Sequence, residues 1–454
     1  MTNVLDLFDQ TIFRFEEATG VTSVGQCVWV YNRAIDLDGL RRFHRHLQRG
    51  RLARRIERSA LPFGRHRWVA PTDESELEIV ATPRPREEFD AWLREQAATP
   101  LDAERGPGFH LAVLPFTDGG AGVSLVALHS LADGMAGCLA VVEAACGYDS
   151  AIDWPAAGSR RRWQALREDA RQTARDLPGI RRAVKAAIAA AGEARRARRE
   201  GGAEQAGPTA APPTGADEPV TIPTTTVFLD ADEWDARAEA LGGTSNALLA
   251  GLAARLAQRV GRVGADGSVT LAIPVSERTA DDTRANAVAN VDVTVDPAPA
   301  ATDLREIRAA IKQALMHRQE ASDEREALLP LVPLLPKRVA KRCVGVATGN
   351  ATGVVSSNLG AAPAEVNRPD GTDADYVSVT SLYPGMTKAT MERTGGVLAL
   401  LSARVHGQVF VSVQAYQPGR RNSKDALRQA LSSALHDFSL NATSGWAAPV
   451  LAAR

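Results

Sequence analysis

The sequence predicts an α/β (α+β) protein made of two similar lobes, and three observations support this prediction. Short apolar runs typical of strands alternate with helical periodicities along both halves of the chain. Each half is closed by a β-hairpin or a helix. At 454 residues, each half is long enough to bury a core of its own. We place an N-terminal lobe at 1–158, a connector at 159–222 and a C-terminal lobe at 223–454.

In the N-terminal half, regularly spaced apolar residues predict an amphipathic helix that stops at Gly20. A β-hairpin is predicted farther along, because turn residues at 117–120 separate the apolar runs 109–114 and 123–128. The remaining elements predicted for this half are a strand at 24–31 and helices at 36–48, 87–98 and 135–146.

The second half is predicted to repeat this alternation of strands and helices. Its predicted strands lie at 225–229, 268–276, 290–295, 352–358, 396–405 and 408–416. Its predicted helices lie at 245–260, 302–319 and 423–438. The segment 328–336 is apolar but contains three prolines, so it cannot form one regular helix. The default interpretation is a loop packed on the core, and the alternatives are a contact with lipid or a wall of a channel for an apolar chain.

One motif carries most of the chemical information, His129-x-x-x-Asp133-Gly134, at the point where an apolar strand gives way to a helix. A histidine at a strand end can present one ring nitrogen to a substrate while the fold fixes the other, as a general base requires. The Asp133 carboxylate can lock the turn by pairing with a cation, and Gly134 permits a close approach that a side chain would block. The competing interpretation is a packed histidine followed by an ordinary Asp-Gly turn.

Composition excludes several classes of protein. The formal net charge of -1 argues against a nucleic-acid-binding protein, which would be clearly basic. Neither a spanning apolar stretch nor a signal peptide is apparent. The four cysteines are scattered, which fits a reducing compartment and indicates no zinc site. His44 and His46 lie among arginines, and this pattern predicts a solvated basic face. We therefore expect a monomeric cytoplasmic protein, peripheral to a membrane at most, without a bound metal.

The connector is basic first and then rich in flexible residues. From Arg160 to Glu200 there are thirteen Arg or Lys residues against five Asp or Glu, in an alanine-rich helical stretch. The following segment, 201–219, is rich in Gly, Pro, Ala and Thr and is predicted to be a flexible linker. The basic part, 160–199, fits three roles: docking on a membrane surface, docking on an acidic carrier protein, or a solvated connection between lobes.

Further short motifs are spread over nearly the whole chain. They are Asp6-Leu7-Phe8-Asp9, Thr99-Pro100-Leu101-Asp102, Gly106-Pro107-Gly108-Phe109, Pro274-Val275-Ser276-Glu277-Arg278 followed by Asn290, and Ser357-Asn358-Leu359-Gly360. With the histidine motif, they resemble the condensation-domain superfamily of CoA- and carrier-dependent acyltransferases, which includes chloramphenicol acetyltransferase. The resemblance is strongest to bacterial wax ester synthase/diacylglycerol acyltransferases and polyketide-associated acyltransferases. One departure is Leu128, which stands where many members carry the first of two adjacent histidines.

This resemblance implies two chloramphenicol-acetyltransferase-like lobes of mixed sheet with flanking helices, forming a V-shaped pseudo-dimer with His129 in a tunnel between the lobes. It implies His129 as general base, an ion pair of Asp133 with Arg278, and no bound cofactor. Acyl-CoA or a carrier-bound acyl thioester would be the co-substrate. Candidates for the donor that stabilises the oxyanion, all at a strand end of the C-terminal lobe, are Ser356, Ser357 and Asn358.

The function expected from this resemblance is transfer of an acyl group, with a long chain favoured, from the thioester to the hydroxyl of a lipid, glycolipid or polyketide acceptor. Two alternatives stay open. One is a free-standing condensation-type protein that forms an amide with a carrier-bound donor. The other is a degenerate, non-catalytic homologue, which the exchange at Leu128 leaves open.

Overall fold

The computed structural model describes residues 3–72, 74–149, 152–200, 217–279, 282–320, 326–336, 339, 353–444 and 446. The strands are β1 (Val24–Tyr31), β2 (Arg55–Glu57), β3 (Arg67–Val69), β4 (Leu77–Ile79), β5 (Phe109–Pro115), β6 (Ala121–Leu128), β7 (Thr224–Asp230), β8 (Val269–Ser276), β9 (Val288–Val295), β10 (Val354–Ala361), β11 (Tyr376–Leu382), β12 (Val397–Val405), β13 (Gln408–Tyr416) and β14 (Thr443–Ser444). The α-helices are α1 (Leu7–Thr19), α2 (Leu37–Leu47), α3 (Phe89–Ala97), α4 (Gly134–Ala145), α5 (Arg162–Glu200), α6 (Ala231–Ala240), α7 (Ser245–Arg259), α8 (Arg305–Glu320), α9 (Lys388–Thr394) and α10 (Lys424–Asp437). Short 3-10 helices lie at Arg51–Ala53, Arg86–Glu88, Pro299–Ala301, Glu326–Leu334 and Ala364–Asn367.

The first sheet has five strands in the order β11-β1-β6-β5-β4, and β5 and β6 form the predicted antiparallel hairpin. Strand β1 is apolar on both faces except at Gln26, because both faces are covered. On one face Trp29 packs with Phe43 of α2, and on the other Val28 packs with Trp92 of α3. The central strand β6, which leads to His129, is therefore held inside a sheet covered on both sides.

The second sheet has seven strands in the order β14-β7-β13-β12-β10-β8-β9. Helix α7 packs across it and is buried nearly all round, since Leu248, Leu252 and Leu256 are each 0% exposed. Strand β9 lies at the edge and alternates buried and exposed residues, as the sequence pattern predicts for an edge strand. Each half of the chain thus has its own sheet and apolar core.

Strand β11 joins the two halves. It comes from the C-terminal half, yet it pairs antiparallel with β1 in the first sheet, with Leu382 opposite Val24 and Tyr376 opposite Val30. Sequence analysis predicts no strand here. Because β11 completes the sheet of the other half, the two halves share backbone hydrogen bonds in addition to side-chain contacts.

The connector helix α5 lies against the N-terminal half through its acidic side. Asp169 accepts hydrogen bonds from Ser59 Oγ at 2.8 Å and from the Ala60 N–H at 2.7 Å, and Asp176 pairs with Arg65 at 3.3 Å. The proline-containing segment predicted to be irregular is the 3-10 helix Glu326–Leu334, which packs between α5 and α1. Residues 201–216 of the predicted linker lie outside the described residues.

The prediction of a solvated histidine face is wrong for His44. Its ring is buried and lies edge-on to Phe109 at 6.1 Å, whereas His46 bonds Asp149 at 2.9 Å. The reason is helical spacing, because the buried side of α2 recurs three and four residues apart. That side consists of Leu40, Phe43, His44 and Leu47. Burial lowers the pKa of His44 to about 4.

Candidate active site

His129 directly follows β6, at the junction of the two halves. Its backbone N–H donates to the Ser23 carbonyl at 2.9 Å, and its carbonyl accepts from Asn286 Nδ2 at 3.0 Å. The flanking Leu128 and Ser130 are buried, while His129 is only partly buried. The backbone at this residue is therefore fixed from both halves of the chain, and the residue as a whole is not fully enclosed.

Asp133 ends the turn and caps α4. Its Oδ1 accepts the Ala136 N–H at 2.7 Å, as expected of an aspartate at a helix N-terminus. Its Oδ2 accepts from Arg278 Nη2 at 2.9 Å and from the Ala287 N–H at 2.8 Å. The ion pair that the resemblance implies between Asp133 and Arg278 is thus present, and it is buried, with side-chain exposures of 7% and 5%.

Besides Asp133, Arg278 binds backbone carbonyls a few residues farther along the chain. Its guanidinium donates to the carbonyls of Arg284 at 2.9 Å and Ala285 at 3.0 Å. The Ala285 carbonyl also accepts the backbone N–H of Asp133 at 2.9 Å. Arg278 therefore folds the segment 284–287 into a loop that lies against the motif turn.

A second carboxylate, Asp9 on α1, holds the same loop from the other side. Asp9 is fully buried and accepts the N–H groups of Ala285 at 3.0 Å and Asn286 at 2.8 Å, together with Asn286 Nδ2 at 3.1 Å. Asn286 also donates to His129, so its side chain links the two residues. Asn290, the asparagine of the motif match, lies exposed on β9, whereas Asn286 contacts the motif turn.

Arg54 completes the buried polar cluster around the turn. Its guanidinium donates to the carbonyls of Thr283 at 2.5 Å and Leu131 at 2.7 Å and lies over the ring of Trp68, 4.2 Å from its centroid. The positive charge of Arg54 partly offsets the effect of burial on Asp9, whose pKa is nevertheless raised to about 6.

The electrostatics of the site favour a neutral imidazole. Burial lowers the pKa of His129 below its ordinary value, and the nearby Asp133 carboxylate and the Asn286 side chain only partly oppose this effect. A neutral ring retains one nitrogen lone pair that can accept a proton. His129 is therefore suited to proton abstraction near neutral pH.

Glu16 lies behind His129. Its Oε1 accepts the Ser23 N–H at 3.0 Å, and the Ser23 carbonyl in turn accepts the His129 N–H. Burial raises the pKa of Glu16 to about 7. The carboxyl group thus contacts the backbone that supports His129.

The end of β10 contacts the motif turn from the C-terminal half. A Cβ atom added to Gly134 would lie 2.8 Å from Cδ2 of Leu359, so glycine permits this approach. Just before Leu359, Asn358 Oδ1 accepts the Gly360 N–H at 2.8 Å, which leaves the Asn358 amide nitrogen as a donor. Ser356, two residues before Asn358, is buried. The three oxyanion candidates are therefore on a strand whose end reaches the turn, and their role stays a prediction.

Leu128, the departure from the two-histidine pattern, is a core residue. It is 2% exposed and packs in a cluster with Val24, Val126 and Leu131. The leucine is therefore accounted for by packing.

A cavity of about 500 Å³ lies between the two sheets, beneath α3. Its walls include polar side chains of both sheets, such as Gln26, Ser378, Thr380, Thr226 and Gln414. Its rim carries the charged residues Asp90, Arg94, Lys424 and Arg428. His129 does not line this cavity, so the tunnel predicted to pass His129 stays a prediction.

Sequence reasoning missed four polar residues of the site: Asp9, Glu16, Arg54 and Asn286. Asp9 lies inside a motif quoted for the resemblance, which is the only sequence signal among the four. The other three are single polar residues outside any motif; the partners of Arg54 and Asn286 are remote in sequence, and Glu16 bonds Ser23, seven residues on. Within the described parts of the chain, no group of three His, Cys, Asp or Glu side chains is arranged to hold a metal ion, and no helix is long and apolar enough to cross a membrane.

Comparison with solved structures identifies the architecture. The chain is similar to the first condensation domain of the CDA synthetase, with a TM-score of 0.56 and 14% identity over 98% of this chain and 99% of that one. The chain has the condensation-domain fold. It is also similar to the wax ester synthase/diacylglycerol acyltransferase of Marinobacter aquaeolei VT8, with a TM-score of 0.53 and 15% identity over 96% of this chain and 100% of that one.

A third similar structure is the starter condensation domain of rhizomide synthetase in complex with C8-CoA and Leu-SNAC. Its TM-score is 0.54, with 15% identity over 98% of this chain and 96% of that one. No family model and no curated protein matches the sequence. The predicted two-lobed fold is confirmed along nearly the whole chain, and at these identities the likeness concerns the fold alone.

Proposed function

We propose that the protein is an acyltransferase in which His129 acts as the general base. One observation carries the proposal: a histidine with a lowered pKa is held at the junction of two sheets by hydrogen bonds that its backbone makes to both halves, one to the Ser23 carbonyl and one to the Asn286 side chain. The fold supports it, because the similar structures include a wax ester synthase/diacylglycerol acyltransferase and condensation domains. The donor we propose is acyl-CoA or a carrier-bound acyl thioester, a class to which the C8-CoA bound by the rhizomide starter domain belongs.

The chemistry needs one base and one oxyanion donor. Neutral His129 removes the proton from an acceptor hydroxyl as its oxygen attacks the thioester carbonyl, forming a C–O bond. The tetrahedral intermediate then collapses, the C–S bond breaks, and protonated His129 returns the proton to the thiolate. No acyl-enzyme is required, since the thioester is already activated.

Asp133 and Arg278 act on position in this scheme. Their buried pair fixes the turn that carries His129, and neither takes part in proton transfer. The oxyanion donor would come from Ser356, Ser357 or Asn358, at the strand end that contacts the turn. A lipid, glycolipid or polyketide alcohol with a long-chain donor remains our proposal for the substrates.

The test is thiol release from a panel of acyl-CoAs of different chain lengths, with alcohols and amines as acceptors. We expect His129→Ala to lower the transfer rate by about 10²–10⁴-fold. His436→Ala, on the exposed side of α10, serves as the matched control and should leave the rate unchanged. Transfer to amines only would favour the amide-forming alternative.

The pH profile gives a second reading of the same base. Because burial lowers the pKa of His129, the acid limb of the rate should lie below pH 6.5, the ordinary value for histidine. Equal rates for wild type and His129→Ala with every acceptor would contradict the proposed mechanism and favour a non-catalytic homologue.

A further inference from the structure

Helix α5 presents a stripe of apolar side chains to solvent. Trp163 is 82% exposed, Ile188 67%, and Leu177 and Val184 43% each. At 100° per residue, these four positions fall within a sector of about 60° on the helix surface. Large apolar residues scattered singly over a surface need no explanation, but an aligned set on one helix is a candidate interaction site.

The exposed apolar residues of the protein are concentrated around this helix. Nine large apolar side chains in the described part of the chain are exposed, and four of them are on α5. Two more, Phe63 and Leu334, belong to segments that pack directly on α5: the loop bonded to its acidic residues and the 3-10 helix Glu326–Leu334. The apolar stripe is therefore the centre of a larger patch.

The same outer surface is strongly positive. The acidic residues Asp169 and Asp176 point inward and bond the N-terminal half, so they do not neutralise the outer face. Among the helix side chains that the structure describes, Glu193 is the exposed acid. The exposed basic residues are Arg162, Arg167, Arg171, Arg175, Arg181, Arg182, Lys185, Arg195 and Arg196.

We propose that this outer face of α5, the apolar stripe with its flanking cations, docks the protein on an anionic lipid surface. Basic residues beside an apolar stripe are the pattern of helices that lie in a membrane interface, with the cations on phosphate groups and the apolar side chains among the upper acyl chains. Tryptophan is enriched at that depth, and Trp163 occupies one end of the stripe.

The length of the stripe favours a lipid surface over an acidic protein. From Trp163 to Ile188 it extends about 38 Å at 1.5 Å per residue. A standard protein interface buries about 800 Å² per partner, and a round patch of that area is about 32 Å across. The stripe is longer than such a patch. A flat bilayer surface contacts the whole stripe at once.

The inference does not depend on acyl transfer, because its test measures only vesicle binding. The full chain is mixed with vesicles of phosphatidylcholine alone or of phosphatidylcholine with phosphatidylglycerol, and the bound fraction is measured by flotation. We expect binding to the phosphatidylglycerol vesicles only, weakened by salt. Because Trp163 is the exposed tryptophan among those described, its fluorescence should shift to shorter wavelength on binding.

Two variants test the two parts of the surface. The double substitution Trp163→Ser/Ile188→Ser and the double substitution Arg181→Glu/Arg182→Glu should each weaken binding at least tenfold. A matched apolar control is Tyr148→Ser/Met316→Ser, which removes exposed apolar side chains away from α5 and should bind as wild type does.

Three outcomes would overturn the proposal. One is the absence of binding to phosphatidylglycerol vesicles. Another is an equal loss of binding in the apolar control. The third is unchanged binding of Trp163→Ser/Ile188→Ser with loss only in Arg181→Glu/Arg182→Glu, which would assign the face to purely electrostatic contact with a polyanion such as an acidic protein.

Discussion

Asp133 and Asp9 bind adjacent residues of one loop, yet their surroundings differ. Asp133 accepts the N–H of Ala287 and also pairs with Arg278 at 2.9 Å. Asp9 accepts the N–H groups of Ala285 and Asn286 and one amide side chain. Both are buried, but only Asp133 has a guanidinium as a direct hydrogen-bond donor among its described partners.

The difference teaches what compensates a buried carboxylate. Asp133 compensates its burial with a direct ion pair and with a place at a helix N-terminus. Amide donors and the more distant Arg54 do not fully offset burial at Asp9, so its pKa is raised to about 6. The loop is thus fixed by an ionic contact on one side and by a contact sensitive to protonation on the other.

The largest effect is expected from Arg278→Met. This change leaves the Asp133 carboxylate buried without its cation, and it removes donors from the Arg284 and Ala285 carbonyls. We expect the free energy of unfolding to fall by about 3–5 kcal/mol, measured by urea denaturation. Transfer activity should fall as well, since the turn that carries His129 loses its support.

The control for this substitution is Arg305→Met. Arg305 pairs with Asp303 at 2.6 Å, which is as short as the buried contact, but its side chain is 77% exposed. Exposed pairs contribute little to stability, so this variant should unfold as wild type does. Equal losses in the two variants would show that burial is not what distinguishes the Asp133 pair.

A smaller, pH-dependent effect is expected from Asp9→Asn. The folded protein holds a proton on Asp9 up to a pKa of about 6, whereas the unfolded chain releases it near 3.8. The folded state binds the extra proton between these values, so the stability contribution of Asp9 is lost as pH rises through 6. Wild type should lose about 1 kcal/mol between pH 5 and pH 7 relative to Asp9→Asn.

Asp303→Asn is the matched control for the pH experiment. The pairing with Arg305 lowers the pKa of Asp303 to about 2, and its ordinary value is 3.8, so the group is charged in both states above pH 5. The difference in unfolding free energy between this variant and wild type should be the same at pH 5 and pH 7. A constant difference for Asp9→Asn as well would contradict the protonation of Asp9.

The fold could be predicted where local patterns decide the structure. The hairpin of β5 and β6 follows from apolar runs around a turn, and the edge position of β9 follows from its alternation. Strand β11 has no such pattern, because apolar and polar residues do not alternate along its whole length and neither does its burial. Nothing in its own residues indicates that it completes a sheet in the other half, because pairing partners are not encoded locally.

The candidate site likewise has residues that the local sequence indicates and residues that it does not. The motif alone indicates His129 and a cation partner for Asp133, and the resemblance identifies that partner as Arg278. The link from Asp9 through Asn286 to His129 spans sequence separations of 277 and 157 residues, and no spacing rule reaches that far. Asn286 also lies four residues before the asparagine that the motif match indicates, because the loop before β9, and not β9 itself, enters the site.

The smallest effect on stability is expected from Gly134→Ala, which leaves every polar contact of Asp133 in place. The added Cβ would lie 2.8 Å from Leu359 Cδ2, the end of a flexible side chain that can rotate away. Alanine also suits a helix better than glycine, so the free energy of unfolding should change by less than about 1 kcal/mol. The transfer rate should nevertheless fall several-fold, because the rotated Leu359 side chain no longer fills the contact between the turn that carries His129 and the strand end that carries the oxyanion candidates.

Leu359→Ala provides the background that separates these two effects. Without the leucine side chain, the Cβ of Gly134→Ala meets no obstacle from it, so the substitution should no longer lower the transfer rate. Two ratios are compared. The first is the rate of Gly134→Ala divided by that of wild type, and the second is the rate of Gly134→Ala/Leu359→Ala divided by that of Leu359→Ala. An identical loss in both would mean that glycine is needed at position 134 for the substrate and not for the contact between the turn and β10.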